Sequence, residues 1–243
     1  MKKYRLDDLL IEKGLAQNQK EAQAIILTGI VLVNEQKIDK PGTLIHLSSA
    51  IRLTGSNLKY ASRGGLKLEA ALHKFSVNPQ GKTCLDLGAS TGGFTDCLLQ
   101  HGAHKIHAFD VGRGQLNWKL RQNPRVIVHD SVNVRYLAPS MVDDQVDLIT
   151  VDVICISLRL ILPTLKAFPA AQIITLVKPQ FEASRQELDK GGIVQNVKKQ
   201  RQIVNRIRDF CIQQNFEVLN EIPSPIQGKK GNQEYFLYIK SKT

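Results

Sequence analysis

Two charges stand where apolar runs end. DLITVDV reaches Asp152 and IITLVK closes on Lys178. Burying either alone costs several kcal/mol, so each must be paired or lie in a wet cleft. A lysine held beside an acid can orient a hydroxyl and stabilise the alkoxide formed from it; a purely structural bridge is the alternative. Upstream, LDLGASTGGFTDCLL ends a strand on Asp86. Gly88, Ser90, Gly92 and Gly93 form the turn that follows, and Phe94 opens the next helix. A glycine-rich strand-to-helix turn is where an open sheet lets backbone approach a nucleotide-like ligand. It matches neither G-x-G-x-x-G nor the Lys-Ser/Thr phosphate loop. Asp110 ends the next strand, HAFD, where an acid can accept both ribose hydroxyls. Asp130 ends VIVHD, in position to meet an adenine amine. Each acid alone could simply cap the helix after it; three in order favour a cofactor.

These residues need a scaffold. TCLDLGA, KIHAFDV, RVIVHD, DLITVDV and IITLVK read as buried strands, each followed by helix-compatible sequence, which predicts a parallel, doubly wound sheet. Ahead of them LKLEAALHKF puts Leu68, Ala71, Leu72 and Phe75 on one helical face. FEVLNEIPS and EYFLYIKS predict an antiparallel hairpin at one sheet edge. The first sixty residues read separately. Gly14 and Gly29 suit helix C-termini, Asn18 suits an N-cap, and three short strands follow with a turn at Asn34-Glu35. The expected organisation is a small α+β unit over 1–57, a linker at 58–62 and an α/β unit over 63–243.

Several stretches resemble known families. R-L-D-x-L-L, A-x-x-I-I-L-T-G-I-V-L-V-N and Lys40-Pro41, over roughly residues 3 to 55, resemble the S4-like RNA-binding domain. The glycine-rich turn is similar to the first motif of S-adenosylmethionine-dependent methyltransferases, in which the acid before the glycines holds the methionine end of the cofactor. Lys67, Asp152, Lys178 and Glu234 match the Lys-Asp-Lys-Glu tetrad of FtsJ-type 2′-O-ribose methyltransferases. S-R-G-G-x-K-L, L-G-A-S-T-G-G-F-T-D-C-L-L, D-V-G-x-G-Q-L, L-V-K-P-Q-F-E, K-G-G-I-V and S-P-I-x-G-x-K-G-N-x-E resemble the TlyA proteins over nearly the whole chain.

That resemblance implies methylation of ribosomal RNA at a cytidine 2′-hydroxyl with S-adenosylmethionine. Lys178 would be the catalytic lysine, and Asp86, Gly88, Ser90, Gly92, Gly93, Phe94, Asp110 and Asp130 would hold the cofactor. Arg5, Lys20, Lys40, Arg63, Lys229 and Lys230 are the expected RNA contacts. Two departures stand out. The RNA-binding family usually has Ser-Arg at Asn18-Gln19, and TlyA proteins usually continue Val-Ser-Phe-Ile-Ser-Leu after Asp152, where this chain has Val153-Ile154-Cys155-Ile156-Ser157-Leu158. Cys155 matches neither the Pro-Cys nor the Thr-Cys of cytosine carbon-5 methyltransferases and reads as a small buried hydrophobe.

Composition bounds the rest. The 243 residues carry 33 Lys plus Arg against 22 Asp plus Glu, a net charge of +11, which favours a polyanionic partner. The four cysteines are dispersed and imply neither disulfides nor a metal site. The start MKKYRLDDLL meets Asp7 and Asp8 before any apolar run, so no signal peptide is expected. No stretch is long and apolar enough to span a bilayer. The expectation is a cytoplasmic enzyme acting on ribosomal RNA, without stable membrane insertion and of open oligomeric state. A membrane-lytic protein, as TlyA proteins are often labelled hemolysins, and an RNA-binding protein with a decayed enzyme site are the competing readings.

Overall fold

The computed structural model describes residues 3–16, 18–53, 59–228 and 231–242. The N-terminal unit opens with strand β1 (Lys3–Arg5) and helices α1 (Leu6–Glu12) and α2 (Gln19–Leu27). Strands β2 (Val31–Val33), β3 (Gln36–Lys37), β4 (Leu44–His46) and β5 (Ile51–Leu53) follow. Asn18 caps α2 by accepting the Glu21 N–H at 3.0 Å, satisfying one of the donors a helix start leaves open. Asn34 and Glu35 both take positive φ, as a tight turn between β2 and β3 requires. Leu6, Leu9, Leu10, Ala22, Ile26 and Val31 are wholly buried and form this unit's core. β1 was not expected from the sequence. Its three residues, Lys-Tyr-Arg, form a strand only by pairing antiparallel with β4.

The stretch read as a linker is fastened down in its described part. Tyr60 is 2% exposed, Ala61 N–H donates to Asp96 at 2.8 Å, and Ser62 caps helix α3 (Arg63–Phe75). In α3 the predicted stripe, Leu68, Ala71, Leu72 and Phe75, is buried.

The larger sheet is built from β6 (Thr83–Leu87), β7 (Lys105–Asp110), β8 (Val126–Asp130), β9 (Leu148–Val151), β10 (Gln172–Val177), β11 (Phe216–Pro223) and β12 (Tyr235–Ser241). Helices α4 (Gly93–Gln100), α5 (Trp118–Arg121), α6 (Leu162–Leu165), α7 (Pro179–Glu182) and α8 (Val197–Gln213) connect them. The order is β11-β12-β10-β9-β6-β7-β8. The five strands from β10 to β8 are parallel, and β12 joins β10 and β11 antiparallel. One apolar layer lies against α3, α4 and α5, the other against α6 and α8. After β8 the expected helix is replaced by two single 3-10 turns, Val134–Tyr136 and Pro139–Met141, the second started by a proline that cannot sit inside a longer helix.

The chain runs outward from β6 to β8, then returns to the other side of β6 with β9. Strand order therefore reverses between β6 and β9, and the ends of those two strands open a crevice.

Candidate active site

Gly88 stands at this reversal with φ +91. A Cβ there would lie 2.7 Å from the Asp152 carbonyl oxygen, so only glycine lets the turn after β6 pass the end of β9. Ser90 also holds a positive φ, and its N–H donates to Asp110 at 2.8 Å, while Gly112 N–H donates to the other Asp110 oxygen at 2.7 Å. Asp110 is thus fixed at the mouth of a cleft of about 520 Å³, lined also by Gly88, Ser90, Asn133, Asp152 and Ile154. Three apolar side chains on its wall face solvent: Val111 is 73% exposed, Ile154 56% and Leu160 52%. Clustered apolar exposure beside a fixed acid is what an adenosine-sized ligand would cover.

A second cleft, of about 320 Å³, adjoins the first, and Gly88, Ser90, Asp152 and Ile154 line both. The structure brings Lys67, Asp152, Lys178 and Glu234 together on its walls. Lys178 follows β10 with an extended backbone (φ −110, ψ 99), the conformation Pro179 enforces. Its Nζ lies 2.5 Å from Asp152 Oδ1 and donates to the Val153 carbonyl at 2.9 Å. The first contact is an ion pair without hydrogen-bond alignment. From α3, Lys67 donates to Glu234 at 2.6 Å, and these side chains are 12% and 4% exposed. The cleft therefore holds two ion pairs, one from the parallel strand ends and one joining α3 to the start of β12.

Other expected residues land elsewhere. Asp86 lies under the turn, outside the lining of either cleft, with no exposed surface. Its carboxyl accepts the hydroxyls of Thr95 at 2.6 Å and Thr150 at 3.1 Å, and burial pushes it up to about 7. Asp130 lines neither cleft; it is ion-paired with Arg121 and accepts the Gly114 N–H at 3.2 Å. Gly92 carries a φ of +97 at the N-cap of α4. Gly93 and Phe94 line the tetrad cleft rather than the larger one, and a Cβ on Gly93 would strike Ser62 Oγ, so this glycine lets α3 approach α4.

Cys155 was read as buried. It is exposed instead, at φ +62 in the loop leaving β9, and lines the larger cleft. The loop must bend sharply there to pass from β9 to the 3-10 turn Leu158–Leu160, which turns the cysteine out of the core.

Of the expected RNA contacts, Arg63 lines the tetrad cleft, Lys20 and Lys40 are exposed, and Arg5 is tied to Asp7 by hydrogen bonds of 3.0 and 2.7 Å. Lys229 and Lys230 lie outside the described residues. The sequence reading missed Val111, Asn133 and Glu182. Glu182 accepts the Ser157 hydroxyl at 2.5 Å and the Leu158 N–H at 2.7 Å, anchoring the loop that walls both clefts. Its one signal was an acid four residues past Lys178.

Among the described residues no helix is long and apolar enough to cross a membrane. Residues 60–241 match the FtsJ-like methyltransferase family, and residues 5–51 match the S4 domain. The chain is 45% identical to YqxC of Bacillus subtilis, over 98% of this chain and 86% of that one. It is 37% identical to the Mycobacterium tuberculosis 16S/23S rRNA (cytidine-2′-O)-methyltransferase TlyA, over 100% and 91%. A solved structure from Streptococcus thermophilus, described as a candidate hemolysin, superposes with a TM-score of 0.75 at 39% identity, covering 100% of this chain and 90% of that one. The chain belongs to the FtsJ-like methyltransferases and, among them, to the TlyA family.

Proposed function

We propose that the chain methylates the 2′-hydroxyl of a cytidine in ribosomal RNA, with S-adenosylmethionine as donor, in the cytoplasm. The observation that carries this reading is the shared wall: Asp152 and Ile154 line both the adenosine-sized cleft and the tetrad cleft, so donor and acceptor sites adjoin. Asp110 would take the cofactor ribose, the backbone of Gly88 to Ser90 its methionine end, and Val111 with Ile154 the faces of its adenine. The cofactor, when bound, supplies a methyl group already activated as a sulfonium.

This chain's residues do the rest. Lys178 has three N–H donors, of which Val153 takes one. Asp152 neutralises its charge and holds the ammonium in place, leaving a donor for the ribose oxygen. That contact stabilises the negative charge growing on the oxygen as its proton leaves to water at the open cleft. The Lys67–Glu234 pair fixes the far wall, so the ribose is positioned rather than searched for. Asp86 acts from beneath the turn, tying β6 to α4 through Thr95 and to β9 through Thr150. The N-terminal unit, over residues 1–57 and joined at 58–62 to the unit over 63–243, would grip RNA through Lys20 and Lys40.

The test is transfer of labelled methyl to unmodified ribosomal RNA, with the marks mapped to the ribose. Lys178→Ala should lose at least about a hundredfold in rate while still binding S-adenosylmethionine. A Lys178→Ala protein as active as wild type sinks the assignment. Lysis of red cells by purified, lipid-free protein would favour the membrane-lytic reading instead.

A further inference from the structure

The head of β12 has two sides. Side chains alternate along a strand, so Glu234 faces α3 and the tetrad cleft while Tyr235 faces α8. On that second side lies a groove of about 550 Å³, between the hairpin, the first turn of α8 and the stretch before it. Neither the cofactor cleft nor the tetrad uses it, but Gln227 lines both it and the tetrad cleft, so the two are neighbours.

The groove has a firm floor. The Tyr235 hydroxyl donates to Gln200 at 3.0 Å, and Gln200 donates to the Val194 carbonyl at 2.6 Å. Its walls suit a nucleotide. The Arg201 guanidinium sits 5.3 Å over the Tyr235 ring, and although paired with Glu221 its side chain stays 52% exposed. Val197 is 66% exposed, and the first turn of α8 carries Lys198 and Lys199 but no acid. A cation, an apolar face and the exposed amides of Gln195 and Gln227 match phosphate, base face and base edge. The occupant must also be continuous with a chain whose ribose sits beside Lys178, which a flanking nucleotide of the same strand satisfies.

We propose that this groove is a second RNA subsite, holding a nucleotide of the single strand that flanks the one methylated. The proposal rests on the RNA-methylating reading above. Arg201 meets the phosphate, and Val197 packs on the base.

The test compares wild type, Arg201→Gln and Val197→Glu for binding and methylation of unmodified ribosomal RNA across a range of salt. Both variants should raise the RNA Kd and KM about tenfold, with affinity for S-adenosylmethionine kept within about twofold, and Arg201→Gln should flatten the slope of log Kd against log salt by about 0.7–0.9. Arg201→Gln also releases Glu221, so Val197→Glu, a change at an exposed side chain, carries the result if the first variant is misfolded. An unchanged RNA Kd in Val197→Glu, with wild type methylating normally, overturns the subsite; a peptide or lipid occupant would give that outcome. No methylation by wild type is a different failure, that of the functional reading.

Discussion

Lys67 and Glu234 are 167 residues apart in sequence and 2.6 Å apart in the fold. Their bond ties α3, which precedes the sheet, to the strand that finishes it. The backbone of the hairpin closes over the carboxylate so tightly that a Cβ on Gly228 would lie 2.1 Å from Glu234 Oε1. Both ends of the chain's α/β unit therefore meet at the tetrad cleft, and the second ion pair, Lys178–Asp152, is supplied by the sheet between them.

Lys67→Met should show what this bond does. It leaves Glu234, 4% exposed, as a buried charge without its cation, and breaking such a pair costs about 3–5 kcal/mol. Urea denaturation should find that loss, and methyl transfer should fall to background. Lys67→Met/Glu234→Gln removes both charges and should recover most of the stability but none of the activity. A double variant as unstable as the single one would show that packing, rather than charge, is at stake.

Gly88→Ala tests the crossing of the two strand ends. Its new Cβ would press on the Asp152 carbonyl and would also hold a positive φ, a conformation that strains any residue with a side chain by about 1–2 kcal/mol. Because Asp152 sits directly after β9, the push should displace the Lys178 partner as well as the cofactor turn. Calorimetric titration with S-adenosylmethionine should show affinity reduced at least about tenfold, with the far-ultraviolet spectrum unchanged.

Much of this architecture was legible because it follows from burial. Five apolar runs each ending in a polar residue could be strands only if their ends share a crevice, and the helical stripe from Leu68 to Phe75 had to face the sheet. The four tetrad residues were legible through motif resemblance, since nothing in the spacing of Lys67 and Glu234 implies contact. Other features left no trace. β1 is polar and three residues long, and pairing alone makes it a strand. Val111 and Ile154 look like core residues, because apolar type does not say whether a neighbour or a ligand will cover it. Cys155 misled for the same reason, and its φ of +62 is set by the sharp exit from β9. Asp86 shows the limit of reading an acid at a strand end: its place in the chain suits a ligand, but two threonine hydroxyls meet it underneath.

Asp86→Asn should change how stability depends on pH. Burial holds this carboxyl near 7, against about 4 in an unfolded chain. The folded state therefore binds its proton first. The protonated group's stabilisation is complete below about pH 4 and is lost as pH rises toward 7. At pH 8 the charged group costs roughly 4 kcal/mol relative to an unshifted carboxyl. The amide abolishes that dependence and gives back only part of the gain, because its NH₂ cannot accept a threonine hydroxyl. Urea curves at pH 5 and pH 8 should show a wild type that loses stability with rising pH and a variant that loses less; parallel curves would contradict the assignment.

The Glu182 carboxylate accepts two hydrogen bonds, from the Ser157 hydroxyl and the Leu158 N–H, and so pins the loop from Val153 to Leu158 to the short helix that begins right after Lys178. Glu182→Gln can accept only one of them, since the amide nitrogen that replaces an oxygen is a donor. A bond to a charged acceptor is worth about 1.5–3 kcal/mol, but burial disfavours the Glu182 charge and raises its pKa, so the neutral amide offsets part of that loss; each kcal/mol that remains lowers Tm by about 2–4 °C in a chain of this size. Because the freed loop walls both clefts, KM should rise for S-adenosylmethionine and for RNA together. Ser157→Ala in the Glu182→Gln background should add only the loss of the Ser157 cap on the Arg159 N–H, since its contact with Glu182 is already weakened. Full additivity of the two losses would separate them and leave the loop held by something else.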